Sequence, residues 1–79
     1  MWSKGTIGVP QKDGSYIVCK YLVKHYEEGS EWGIDEGRIS KLEIRINGKI
    51  TANYDRGWDI DPEDETTQTA LAILLKEYN

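Results

Sequence analysis

The sequence predicts an α+β fold: a four-stranded antiparallel meander sheet with one C-terminal helix packed on one face. Three observations carry this. Asn47-Gly48 separates two alternating segments, and Asn-Gly is the strongest short hairpin signal because both residues tolerate the positive φ of a tight turn. Asp61-Pro62 followed by Glu63, Asp64 and Glu65 reads as a helix start, with a capping acid, a proline at the first position and further acids at the positive end of the dipole. Apolar residues recur with a period of two up to Tyr54 and with helical spacing after Pro62.

Trp2 to Val9 is a weak first strand broken by Gly5 and Gly8. Pro10 cannot donate to a ladder, which puts this strand at an edge. Asp13-Gly14 supplies the next turn. Tyr16 to Tyr26 is rich in β-branched and aromatic residues. One of its faces carries Tyr16, Val18, Lys20, Leu22, Lys24 and Tyr26. The other carries Ile17, Cys19, Tyr21, Val23 and His25 and, being more apolar, is the expected core face, although a bulge would exchange the two. Glu27 to Arg38 holds three glycines, five acids and Trp32 without periodicity, a long excursion of the kind that often carries function in small domains. Ile39 to Ile46 resumes alternation, with Leu42, Ile44 and Ile46 inward and Lys41, Glu43 and Arg45 outward. Lys49 to Tyr54 returns with Ile50, Ala52 and Tyr54 on one face. The helix is expected over Pro62–Tyr78, burying a stripe of Thr67, Ala70, Leu71, Leu74 and Tyr78 that Ile73 and Leu75 widen.

Seventy-nine residues make one domain, 1–79, near the size at which a single core has only a few kcal/mol of margin. The single cysteine, Cys19, excludes an intramolecular disulfide. The start, Met1-Trp-Ser-Lys-Gly-Thr6, lacks the apolar core of a signal peptide. The longest apolar-rich run, Ala70 to Leu75, is far below the roughly 20 residues of a membrane span. A cytoplasmic location without membrane association is expected. With 14 acids against 10 bases the net charge is −4, which argues against broad binding to a nucleic-acid backbone. The bases gather on the strands, at Lys20, Lys24, Lys41, Arg45 and Lys49, so a local positive face for a small anion stays open. A marginal core, a one-sided helix and eight aromatic residues with no Phe point to a homo-oligomer, most simply a C2 dimer.

Catalytic chemistry finds little support. His25 is the only histidine, and Cys19 lies six residues away on the same strand, about 20 Å at 3.3 Å per residue, so they cannot pair within one chain. Asp59-Ile-Asp-Pro-Glu-Asp-Glu65 places acids at alternating positions. It lacks the central glycine and the twelfth-position glutamate of an EF-hand, where Asp64 and Ala70 stand instead. No Cys/His set suits zinc and no glycine-rich loop followed by lysine suits phosphate. No enzyme activity, cofactor or metal is expected.

What remains is a recognition surface. Trp32 and Trp58 lie in the two loop regions, with Arg38 and Arg56 near them and Tyr54 at the junction. An aromatic ring can stack on a base while an arginine fork holds a phosphate or carboxylate. The same residues have structural roles open to them: Arg56 pairing with Asp55 or Asp59, Arg38 with Glu36, and both tryptophans sealing the core. The segments Gly33-Ile-Asp-Glu-Gly-Arg-Ile-Ser-Lys-Leu42 and Asn53-Tyr-Asp-Arg-Gly-Trp-Asp59 resemble a group of short uncharacterised proteins of Gram-positive bacteria and their phages or integrated elements. The resemblance covers roughly Tyr21 to Asn79. It implies a mobile-element context, in which small proteins commonly block or sequester components of host defence. The expected function is therefore a non-catalytic binding protein, sequestering a small anionic, nucleotide-like ligand through Trp32, Arg38, Tyr54, Arg56 and Trp58. The alternative is an inhibitor or adaptor that captures a host protein through acidic and aromatic surface.

Overall fold

Asn47 and Gly48 adopt φ values of 52° and 79°, the pair of left-handed conformations that a two-residue hairpin turn needs. They join β3 (Ile39–Ile46) to β4 (Lys49–Asp55) and set Ile46 opposite Lys49. The computed structural model describes residues 1–79. Upstream, β1 (Trp2–Pro10) and β2 (Tyr16–His25) form a longer hairpin that turns at Gly14, φ 88°, where Asp13 accepts from the Ser15 N–H at 2.9 Å. The sheet is antiparallel throughout, in the chain order β1-β2-β3-β4-β5, so Pro10 lies on an edge strand.

The sheet has five strands rather than four. The added strand, β5 (Trp58–Ile60), pairs with Asn53 and Tyr54. It is three residues long with every side chain exposed, which leaves no alternation to detect.

Each of the last three strand pairs carries a bulge, one extra residue that bends the strand and re-aims its side chains. Lys24 faces Lys41 and His25 faces Ile39, leaving Ser40 unpaired. Simple alternation from Leu42 would turn Ile39 outward; the bulge instead buries it completely. Ile44 faces Ala52 and Arg45 faces Ile50, leaving Thr51 unpaired. Ile50 therefore leaves the face of Ala52 and Tyr54, where alternation alone would put it, and lies across from Arg45. Asp59 is the extra residue between Trp58 and Ile60.

The helix α1 (Glu65–Tyr78) starts three residues later than Pro62. Its N-cap is Asp64, not Asp61, because the carboxylate of Asp64 accepts both the N–H and the hydroxyl of Thr67, each at 2.7 Å. Burial pushes the Asp64 carboxyl up, but those two bonds and nearby N–H groups outweigh it and hold the pKa below its ordinary value. The helix lies on the face that carries Cys19, Val23, Leu42 and Ile44, and buries Thr67, Ala70 and Leu74 there, with Leu71, Leu75 and Tyr78 at the margin. Ile73 is 45% exposed and does not widen the stripe. This helix is not long and apolar enough to cross a membrane.

Candidate functional site

Tyr54 faces Leu42 across the ladder, on the helix side of the sheet, and is 8% exposed. Its hydroxyl donates to the carbonyl of Trp32 at 2.9 Å. Its ring meets that of Trp58, opposite it on β5, edge to face at 5.1 Å and 73°. One buried tyrosine thus joins the 27–38 excursion to the β4–β5 junction. The tryptophans it holds are open to solvent, Trp32 at 55% and Trp58 at 37%, so neither seals the core. Arg56 sits at the turn between them in sequence with φ 60°, a left-handed conformation that costs an ordinary side chain about 1–2 kcal/mol. Its N–H donates to the Ser40 carbonyl at 3.2 Å, so the bulge in β3 helps to hold the turn.

The excursion is shaped by close backbone approach. Gly29, Gly33 and Gly37 recur every fourth residue, and a Cβ at Gly33 would collide with the Gly37 carbonyl while one at Gly29 would stand 2.6 Å from the Glu36 oxygen. This lets the segment fold back on itself around a tight turn at Ile34–Glu36, in which Asp35 and Glu36 take left-handed φ values of 52° and 58°. Ile34 anchors it in the core. Asn79 fastens it to the helix end: its Oδ1 accepts from the Ile39 N–H at 2.9 Å and its Nδ2 donates to the Ile34 carbonyl at 3.1 Å.

Arg38 stands in a different setting. It borders an open depression of about 420 Å³ with Met1, His25, Tyr26 and Glu27. The site residues therefore divide into a cluster of Trp32, Tyr54 and Trp58 with Arg56 on the adjoining turn, and Arg38 beside His25. The ion pairs of the molecule are Lys41–Asp55 at 3.8 Å and Arg45–Glu43 at 2.8 Å. Neither Arg38 nor Arg56 is held by an acid, and the pairings open to them in the sequence do not form. None of the five principal depressions is lined by Trp32, Arg56 or Trp58. The largest of these, about 430 Å³, is formed between Val9–Asp13 and the first turns of the helix and has neither arginine nor aromatic lining.

Cys19 is fully buried, and burial pushes its thiol up, away from the reactive thiolate form. His25 bonds Ser3 Oγ through Nε2 at 2.9 Å and packs on Tyr78 with ring centroids 4.8 Å apart. Burial, the N-terminal ammonium and Arg38 together lower its pKa. No group of three or more His, Cys, Asp and Glu side chains is arranged to hold a metal ion.

The face of the sheet away from the helix is a feature that the strand patterns reveal only in part. Alternation assigns Lys20, Leu22 and Lys24 to it, but the register shows which residues they meet. Lys20 lies directly across from Arg45, and Lys24 across from Lys41.

A family model for a domain of unknown function, DUF7678, matches residues 1–79, and the chain belongs to that family. No curated protein and no solved structure matches it.

Proposed function

We propose that this member of a family of unknown function is a non-catalytic binding protein of phage or mobile-element origin, acting in the cytoplasm as an inhibitor or adaptor that captures a host protein. The observation that carries this reading is Arg56, left-handed, exposed and free of any acid, on the turn between Tyr54 and Trp58. A glycine or asparagine would hold that turn at lower cost, so a strained arginine is well accounted for by a task outside the fold. Tyr54 holds the Trp32 backbone through its hydroxyl and the Trp58 ring edge to face, and tryptophan and arginine are the residues that dominate protein contacts. The absence of Trp32, Arg56 and Trp58 from every principal depression supports a flat macromolecular contact over an enclosed small-molecule site. Exposed acids near Trp32 and Trp58 in the sequence, among them Glu31, Asp35 and Asp59, suit a partner with a basic rim.

The second reading, sequestration of a small anionic ligand such as a nucleotide, draws on one specific feature. The depression that Arg38 shares with His25 and Tyr26 places an unpaired guanidinium beside an aromatic ring. Self-association as a C2 dimer accompanies either reading, and light scattering that finds only a 9.1 kDa species at high micromolar concentration would remove it under those conditions. The test of function compares Trp32→Ala, Arg56→Ala and Arg38→Ala, each checked for an unchanged fold, in host-protein capture and in nucleotide binding. Protein capture is expected to be lost with the first two and kept with the third. Nucleotide binding abolished by Arg38→Ala alone would favour the second reading. Capture unaffected by Trp32→Ala and Arg56→Ala would remove this patch from the function.

A further inference from the structure

The register places five cations on the sheet face that the helix leaves open: Lys4, Lys20, Lys24, Lys41 and Arg45. The same face carries two acids, Glu43 and Asp55, which engage Arg45 and Lys41. Five positive charges against two negative ones make this face cationic on a chain whose total is −4. Lys20 opposite Arg45 and Lys24 opposite Lys41 are like-charge cross-strand pairs, which disfavour the folded sheet where opposite or neutral pairs would favour it. Lys4, Lys20 and Lys24 have no acid partner in the protein. Folding alone gives no reason for this arrangement.

Apolar side chains are interleaved with the cations. Leu22 stands between Lys4 and Glu43, in the row that continues through Asn53 to Ile60, and both Leu22 and Ile60 are exposed. Trp2 lies across from Lys24, whose ammonium rests 5.7 Å from the indole. A depression of about 130 Å³ opens between Trp2, Leu22, Lys41 and Asn53, room for one large side chain.

We infer that this open face is a docking surface for an acidic amphipathic segment of a partner protein. An apolar anchor of that segment occupies the depression beside Leu22 and Trp2, and its carboxylates meet Lys4, Lys20 and Lys24. Charge decides the class of occupant. A second copy placed face to face would set lysine against lysine. A nucleic-acid strand gains from the cations and from Trp2, but the rest of the molecule, where acids outnumber bases, is net negative and opposes a polyanion that extends beyond the face. It also makes no use of exposed aliphatic groups such as Leu22, Val18 and Ile60. A short acidic segment with apolar anchors matches both properties. This surface is separate from the Trp32–Tyr54–Trp58 patch, since Tyr54 and Trp58 stand on the helix side, and the inference does not rest on that patch.

The test uses the full chain and three probes: a short amphipathic peptide of glutamate and leucine, a polyglutamate of the same length, and a short oligothymidylate. Binding is followed by amide chemical shifts. The amphipathic peptide is expected to bind most tightly, to shift the amides of Lys4, Lys20, Leu22 and Lys24, and to weaken at least roughly tenfold in the Lys20→Glu/Lys24→Glu double variant. Lys20→Gln supplies a readout that needs no ligand and guards against a variant that fails to fold. Relieving the repulsion with Arg45 is expected to raise the melting temperature by roughly 1–5 °C. The inference is overturned if the wild type does not bind the peptide, if the double variant binds it equally, or if the shifts fall elsewhere. It is equally overturned by tighter binding of polyglutamate or oligothymidylate, by self-association that covers the face, or by a lower melting temperature in Lys20→Gln.

Discussion

The Tyr54 hydroxyl donates to the Trp32 carbonyl across a separation of 22 residues, and with it the sheet holds the excursion. Tyr54→Phe keeps the ring and its edge contact with Trp58 but removes this bond. Loss of one partly buried hydrogen bond is expected to cost roughly 0.5–1.5 kcal/mol. Because the bond is the link between β4 and the loop, hydrogen exchange should accelerate at Gly33 and Gly37, whose amides donate within the excursion, more than in the β3–β4 ladder. Uniform acceleration across the sheet, or none, would deny the loop this tether.

Arg56 tests whether local strain has been accepted for function. Arg56→Gly is expected to relieve the left-handed strain and to leave stability unchanged or raised by up to about 1 kcal/mol, glycine's greater unfolded freedom offsetting part of the gain. Denaturant melts measure this directly. A clear loss of stability would mean that the side chain serves the fold.

The Asn47-Gly48 turn, the inward faces of β2 and β3 and most of the helical stripe were legible in the sequence because each rests on local chemistry or on a period. Ile39, Ile50 and the short strand β5 were not, since Ser40, Thr51 and Asp59 interrupt the period and a bulge is settled by what lies across the ladder. The glycines at 29, 33 and 37 had a visible spacing but no visible cause, which is a backbone contact between residues brought together by the fold. Of the residues of the proposed patch, Tyr54 contacts both the Trp32 carbonyl and the Trp58 ring. Arg38 instead lines a depression with His25 and Tyr26, and nothing in the linear pattern marks that neighbourhood. The like-charge pairs of the open face need the register and were beyond any single strand's pattern.

Helix capping separates two neighbouring acids. Asp64→Ala is expected to cost about 1 kcal/mol, within the 0.5–2 kcal/mol range of N-cap removal, whereas Asp61→Ala should stay within roughly 0.5 kcal/mol. Since the folded pKa of Asp64 is lowered from 3.8, the unfolded chain binds its proton more readily. The cap's contribution is thus present above that value and lost as pH falls through the folded pKa. Equal costs for the two substitutions in urea melts would return the helix start to Asp61-Pro62.

Core packing gives a comparison along one helix. Leu74 is 1% exposed and Leu74→Ala is expected to cost roughly 2–5 kcal/mol, while Ile73→Ala, on the open side, should fall within about 1 kcal/mol. Comparable losses at both positions would place Ile73 in an interface, for example that of the proposed dimer.

His25 ties stability to pH near neutrality. Burial first, then the N-terminal ammonium and Arg38, lower its folded pKa below the ordinary 6.5. The unfolded chain then takes up the proton at higher pH than the folded one, so stability rises with pH across this window. The contribution is fully present above about pH 6.5 and is lost as acidification proceeds through the folded pKa. His25→Gln cannot titrate, and its stability should vary less between about pH 5 and 7 than that of the wild type. The comparison is made within each protein across pH, because the substitution also alters the bond to Ser3 and the packing on Tyr78. Arg38→Ala removes one of the charges that hold the pKa down and should shift the wild-type transition upward in pH. Parallel profiles for wild type and His25→Gln would show that the imidazole does not govern this pH dependence.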